Sequence, residues 1–179
     1  AVSSSTTVAL QSKTVAGAGT FDTSAAAGSF TIQAANLNGN TAVTINFAQN
    51  DTLQTVVNTI NATLDAQSGG DGGVTASVSS GQIALTTASG DSVTLGGSNL
   101  AAVGLDSLGT ATYAAKSADQ LAADINANTT LQGAVRASND NGKLRIENIS
   151  TADLTVAGFD SAGKIDGSAG TKTIGANDV

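Results

Sequence analysis

Sliding the 179-residue sequence against itself exposes an internal repeat, and a repeat limits the folds open to a chain more than any single residue in it. Val74-Thr75-Ala76-Ser77 recurs as Val135-Arg136-Ala137-Ser138 at an offset of 61. At the same offset Gly81-Gln82-Ile83-Ala84-Leu85 matches Gly142-Lys143-Leu144-Arg145-Ile146, and Val93-Thr94-Leu95 matches Leu154-Thr155-Val156. Gly97 then falls on Gly158. Upstream, Ile60-Asn61-Ala62 matches Ile125-Asn126-Ala127 at an offset of 65, a four-residue difference that the Gly69-Gly70-Asp71-Gly72-Gly73 loop is placed to absorb. One such match arises by chance; a series in the same order points to duplication. The expectation is two related modules, with Ile60 superposing on Ile125, Ile83 on Leu144 and Leu85 on Ile146, all buried.

Each copy reads as a helix, a hairpin and a further strand. Leu53, Val56, Val57, Ile60 and Leu64 share one helical face, and Ala118, Leu121, Ala122 and Ile125 form the matching stripe. Asp51 with Gln54, and Ser117 with Gln120, have the spacing of a capping box. Period-two alternation follows: Val74, Ala76, Val78, then Ile83 and Leu85; in the second copy Val135 and Ala137, then Leu144 and Ile146. The hairpin tips are Ser80-Gly81 and Asn141-Gly142, the latter a type I′ signal because both residues accept positive φ. A further hairpin, Phe30-Thr31-Ile32 with Val43 to Phe47 around the Asn36 to Asn40 turn, precedes only the first helix. The second copy keeps a stub, Ala111-Thr112-Tyr113. Thr7 to Leu10 and Thr171 to Ile174 carry weak strand patterns and are expected near each other.

The fold class is therefore α+β: two related modules, each an amphipathic helix packed on a small antiparallel β-sheet. The boundaries fall at 1–27 (N-terminal strand or linker), 28–109 (first module), 110–160 (second, shorter module) and 161–179 (C-terminal return segment). A single domain of 17.3 kDa would expose about 7,800 Å² when folded. With four Phe, one Tyr and no Trp, aliphatic side chains must supply nearly all the packing.

Composition also excludes functions. The absence of His and Cys removes the commonest general base, the thiolate nucleophile and nearly all zinc and copper sites. A net charge of −7 argues against nucleic acid and against anionic lipid, both of which select cations. No apolar run approaches the ~18 residues of a membrane span, and no signal-peptide pattern opens the chain. The charge is uneven: six acids and one base lie up to Thr110, and eight acids and six bases follow.

The remaining chemical candidates have plainer readings. Lys116 beside Ser117 could form a Ser-Lys dyad, but Ser117 is better used as a helix cap. A glycosidase carboxylate pair would lack the aromatic platforms of a sugar cleft. Asn139-Asp140-Asn141-Gly142 and Asp71-Gly72-Gly73 lack the ligand spacing and bidentate Glu of a calcium loop and suit turns. Sequons at Asn50, Asn61, Asn128 and Asn148 are expected by chance in a chain so rich in Asn and Thr, and Asn61 reads as a helix-end amide. No catalytic, cofactor or metal residue is assigned, and no enzyme activity is expected.

The order of segments does resemble a known motif. A hairpin, Asp51 to Ala62, Val74 to Ser77, Gly81 to Leu85 and Asn99 to Leu105 together resemble the hook IN motif of the variable outer domains of bacterial flagellins and hook-associated proteins. The named pair would be Ile60-Asn61, repeated as Ile125-Asn126. The match covers about Gly28 to Leu105, with a weaker copy over about Thr112 to Phe159. The resemblance implies an extracellular structural domain of a flagellar filament, carried by a longer chain and exported without a cleaved signal peptide. It implies neighbouring copies as partners, with surface glycans or host receptors as further ones, and neither nucleic acid nor membrane insertion. The outer domain of a hook-associated junction or cap protein is the alternative within the family. A surface adhesin or carbohydrate-binding module is the alternative outside it.

Overall fold

A computed structural model describes residues 6–176 and gives a mixed α+β fold of small antiparallel sheets with two helices. The strands are β1 (Gln11–Ala16), β2 (Gly28–Gln33), β3 (Val43–Phe47), β4 (Val74–Ser79), β5 (Gln82–Thr87), β6 (Thr94–Gly96), β7 (Thr112–Ala115), β8 (Val135–Asp140), β9 (Lys143–Asn148), β10 (Leu154–Phe159) and β11 (Ile165–Ile174). The helices are α1 (Leu53–Asp65) and α2 (Ala118–Ala127). The chain divides into two compact units, one continuous over residues 11–114 and one assembled from residues 6–10 and 115–176. This division falls between Ala114 and Ala115. Residues 1–5 and 177–179 of the terminal segments lie outside the described residues.

In the continuous unit one sheet has the order β4-β5-β1-β7 and a second the order β3-β2-β6. The helix α1 packs on β4 and β5 of the first and on β3 of the second. Its face buries Val56, Val57, Ile60 and Leu64 completely or nearly so. Phe30, Ile32, Leu37, Ile45, Ile83 and Leu85 close the core, with the Phe30 and Phe47 rings tilted at a centroid distance of 6.5 Å. Two expectations change here. The N-cap of α1 is Thr52, whose hydroxyl accepts the Thr55 N–H, while Asp51 instead accepts the N–H of Ala48. Gln11–Ala16, assigned to an N-terminal strand or linker segment, is an inner strand of the sheet, and Thr112–Ala114 belongs to this unit's edge instead of opening the second module.

The Gly69 to Gly73 loop does more than absorb an insertion. It lies backbone to backbone on the Asn36 to Asn40 turn, where Leu37 is wholly buried and bridges Asp71. A Cβ on Gly72 would meet the Leu37 nitrogen at 2.4 Å, and its φ of +62° already favours glycine.

In the discontinuous unit α2 packs on the β8-β9 hairpin, and β10 pairs with β11 through bulges at Ala157 to Phe159. The expected capping box is present: Ser117 Oγ accepts the Gln120 N–H at 3.2 Å and Gln120 Oε1 accepts the Ser117 N–H at 2.8 Å. Both hairpin tips take positive φ, 50° and 77° at Ser80-Gly81 and 51° and 82° at Asn141-Gly142. Thr7 to Leu10 forms no strand, whereas Thr171 to Ile174 pairs with β10. Among the described residues the buried apolar set here is Ala122, Ile125, Val135 and Ala137, against nineteen residues in the other unit. Leu144 and Ile146, expected in the core, are half-buried, because among the described residues no hairpin like β2-β3 and no strand like β1 pairs beside them.

Truncating Ile60 to Ala should cost about 2–5 kcal/mol in chemical denaturation, since the site is sealed by two sheets. A loss below about 1 kcal/mol would show that Ile60 does not carry the core.

Candidate functional site

The groups with catalytic or ligand chemistry are engaged in structural work. Lys116 does not meet Ser117 as a dyad; its ammonium pairs with Asp124, with the lysine side chain only 5% exposed and the aspartate 34%. Asn139 accepts the Gly142 N–H at 2.7 Å within the hairpin turn and donates to Asp119, and Asp71 accepts the Gly73 N–H at 2.9 Å. Among the described residues no three acidic side chains gather as a metal site, and no buried side-chain polar atom lacks a partner. Among the described residues no helix is long and apolar enough to cross a membrane. Asp22 is held below the ordinary aspartate range by hydrogen bonds from the Ser24 side chain and backbone, and Asp166 by those from Ser168 with Lys164 nearby. Both carboxylates are exposed, Asp22 ahead of β2 and Asp166 within β11. A lowered value means their contribution to stability is present above the ordinary range and fades as pH falls through the lowered one.

Asparagines are the polar residues with the most consequence. Asn61 is not a helix-end amide, as its neighbours suggested. From the middle of α1 it donates Nδ2–H to the Ala76 carbonyl at 2.9 Å and accepts the Ala76 N–H through Oδ1 at 2.7 Å. In the other unit Asn126 does the same to Ala137, with both bonds at 2.8 Å. A carboxamide has the donor and acceptor of a peptide group, so each amide stands in for one residue of an adjacent strand. Buried Asn148 extends the theme: its Nδ2 reaches the carbonyls of Ala152, Ile174 and Gly175, and its Oδ1 takes Ser150 N–H and O–H. Asn128 bonds Thr6 and the Thr130 N–H. Only the repetition of Ile-Asn in the sequence marked the first two as special.

The discontinuous unit also holds an apolar cleft of about 660 Å³. Leu121, Ile125, Val135, Leu144, Ile146 and Leu154 form much of its wall, and residues 6–10 line it as well. It contains no ionisable side chain, so it can hold apolar groups but cannot move protons. Comparison of the chain with protein-family models, with curated proteins and with solved structures found no match.

Replacing Asn61 by Ala removes both partners of Ala76 and should destabilise the continuous unit by about 2–4 kcal/mol. Asn61→Asp should fail to restore stability, because a carboxylate facing the Ala76 carbonyl has no hydrogen to donate. Equal stability of Asn61→Asp and the parent, read by urea denaturation at neutral pH, would refute the clamp. In the other unit Asp124→Ala should destabilise more than Lys116→Met, since only the former strands a buried ammonium. Thermal denaturation of the two variants compares them directly.

Proposed function

We propose that the chain is a solvent-exposed structural domain of a flagellin-like bacterial filament subunit, built from two related modules that arose by duplication. The observation that carries this reading is the carboxamide clamp. Asn61 and Asn126 are the asparagines of the two Ile-Asn pairs in the resembling motif, and each binds both backbone groups of the strand residue at the corresponding place. Ile60 and Ile125 beside them are both buried.

The surface supports the same reading. Val78, Leu108 and Tyr113 are the exposed large hydrophobic residues among those described, and they are scattered in sequence. Net charge of −7 keeps copies apart at long range, while salt screens that repulsion beyond about 8 Å. Neighbours at filament density can then touch through hydroxyl and amide groups without aggregating. The domain is extracellular in this reading, and its primary partners are other copies of the subunit.

Gold-labelled antibodies raised against the chain test the assignment on cells of its source. Label along the whole filament is expected. Label confined to the hook-filament junction or the tip would transfer the domain to a hook-associated protein, and label on the cell body would favour an adhesin. Sedimentation of the isolated chain should give a monomer at low micromolar concentration, because assembly depends on the high effective concentration of a filament core.

A further inference from the structure

The two helix-covered hairpins, β4-β5 and β8-β9, have four outer edges, and the hydrogen bonding of each can be followed residue by residue. A two-residue turn places Ser79 opposite Gln82 and Asp140 opposite Lys143 as hydrogen-bonded pairs. Alternation then turns the N–H and C=O of Ala76, Ile83 and Leu85 away from the first hairpin, and those of Ala137, Leu144 and Ile146 away from the second. The edge of β4 is closed at Ala76 by the Asn61 amide, and the edge of β8 at Ala137 by the Asn126 amide. The edge of β5 is closed by β1, with Val15 opposite Leu85 and the Gly17 N–H on the Ile83 carbonyl at 2.8 Å.

The fourth edge is different. Among the described residues no hydrogen bond reaches the outward N–H or C=O of Leu144 or Ile146. Residues 6–10 line the same cleft but make no backbone hydrogen bond to β9. The side chains of Leu144 and Ile146, half-buried, form part of the apolar cleft wall. The alternate residues Lys143 and Arg145 are exposed and form no ion pair among the described residues, while Glu147 faces Arg136 at 3.8 Å.

We infer that the outer edge of β9 is a strand-addition site for an extended segment of a partner protein, aliphatic at alternate positions and acidic between them. Three observations combine in it. The unpaired backbone groups call for a strand's own N–H and C=O. The cleft beside them takes aliphatic side chains on one face of that strand. Lys143 and Arg145 on the other face select carboxylates. A compact apolar ligand would fill the cleft and leave the ladder unpaired, and a basic peptide would meet Lys143 and Arg145 with like charge. The inference does not depend on the filament assignment or on duplication, since the alternation is fixed by the β8-β9 turn alone.

Amide hydrogen exchange by NMR tests it on the whole chain. In the free protein the Leu144 and Ile146 amides should exchange at least about tenfold faster than that of Arg145, while the Leu85 amide, paired with Val15 of β1, stays protected. A synthetic peptide of alternating valine and glutamate should then slow exchange at Leu144 and Ile146 selectively. A valine-lysine peptide should do so more weakly, and Lys143→Glu with Arg145→Glu, both exposed changes, should reverse the preference. Leu144 and Ile146 amides already as slow as Arg145 in the free protein would overturn the proposal. So would unchanged exchange with saturating valine-glutamate peptide. Protection that grows with protein concentration alone would overturn the choice of occupant and assign the edge to a second copy of this chain.

Discussion

The bond between an asparagine side chain and both backbone groups of one strand residue sets the geometry of each helix-covered hairpin. Aliphatic packing alone leaves a helix free to slide or rotate over a sheet, because Val, Leu and Ile contacts are short-ranged and undirected. Two hydrogen bonds near 2.8 Å from Asn61 to Ala76, or Asn126 to Ala137, fix the height of the helix and its rotation at once. In a chain with five aromatic residues, that directional restraint replaces part of the shape specificity that large rings would supply. The buried stripe around Ile60 follows from where Asn61 is held.

The same amides manage sheet edges. An open strand edge invites pairing with other chains, and many proteins blunt it with charge, proline or a bulge. This chain has no proline and few charges, and the edges of β4 and β8 are blocked at Ala76 and Ala137 by a side chain that imitates a peptide group. The two units differ in how the hairpin's other edge is treated, and in how much apolar mass covers the helix. In the continuous unit β1 and the β2-β3 hairpin supply both covers. Among the described residues of the discontinuous unit, β9 pairs only with β8, and an apolar cleft lies beside it.

Much of the local structure was legible because it obeys short-range rules. The helix stripes, the Ser117-Gln120 box and the two hairpin tips each follow from residues within a few positions of one another. The reading failed where a long-range partner decides. Asn61 carries no local sign that its amide will reach a strand fifteen residues away, so it read as a helix-end group. Thr52 displaced Asp51 as the cap because Asp51 is drawn into the preceding turn by the Ala48 N–H. Leu144 and Ile146 alternate as cleanly as Ile83 and Leu85, and only the missing neighbours leave them half-buried. For the candidate site the repeat of Ile-Asn was visible but its chemistry was not, and the open edge of β9 has no sequence signal of its own.

The path of the chain has one more consequence, for the order in which the units can form. Residues 11–114 make a continuous unit in which β1 and β7, its first and last strands, are neighbours in one sheet. Folding it brings Leu10 and Lys116 side by side, with the Lys116 N–H on the Leu10 carbonyl at 3.0 Å. The discontinuous unit needs residues from both of those ends. Closing a loop of that length in an unfolded chain costs on the order of 4 kcal/mol in entropy, and the folded continuous unit has already closed it. The smaller core thus draws on a pair of chain ends that the continuous unit joins, and unfolding of that unit would return the entropic burden of closure to the rest of the chain.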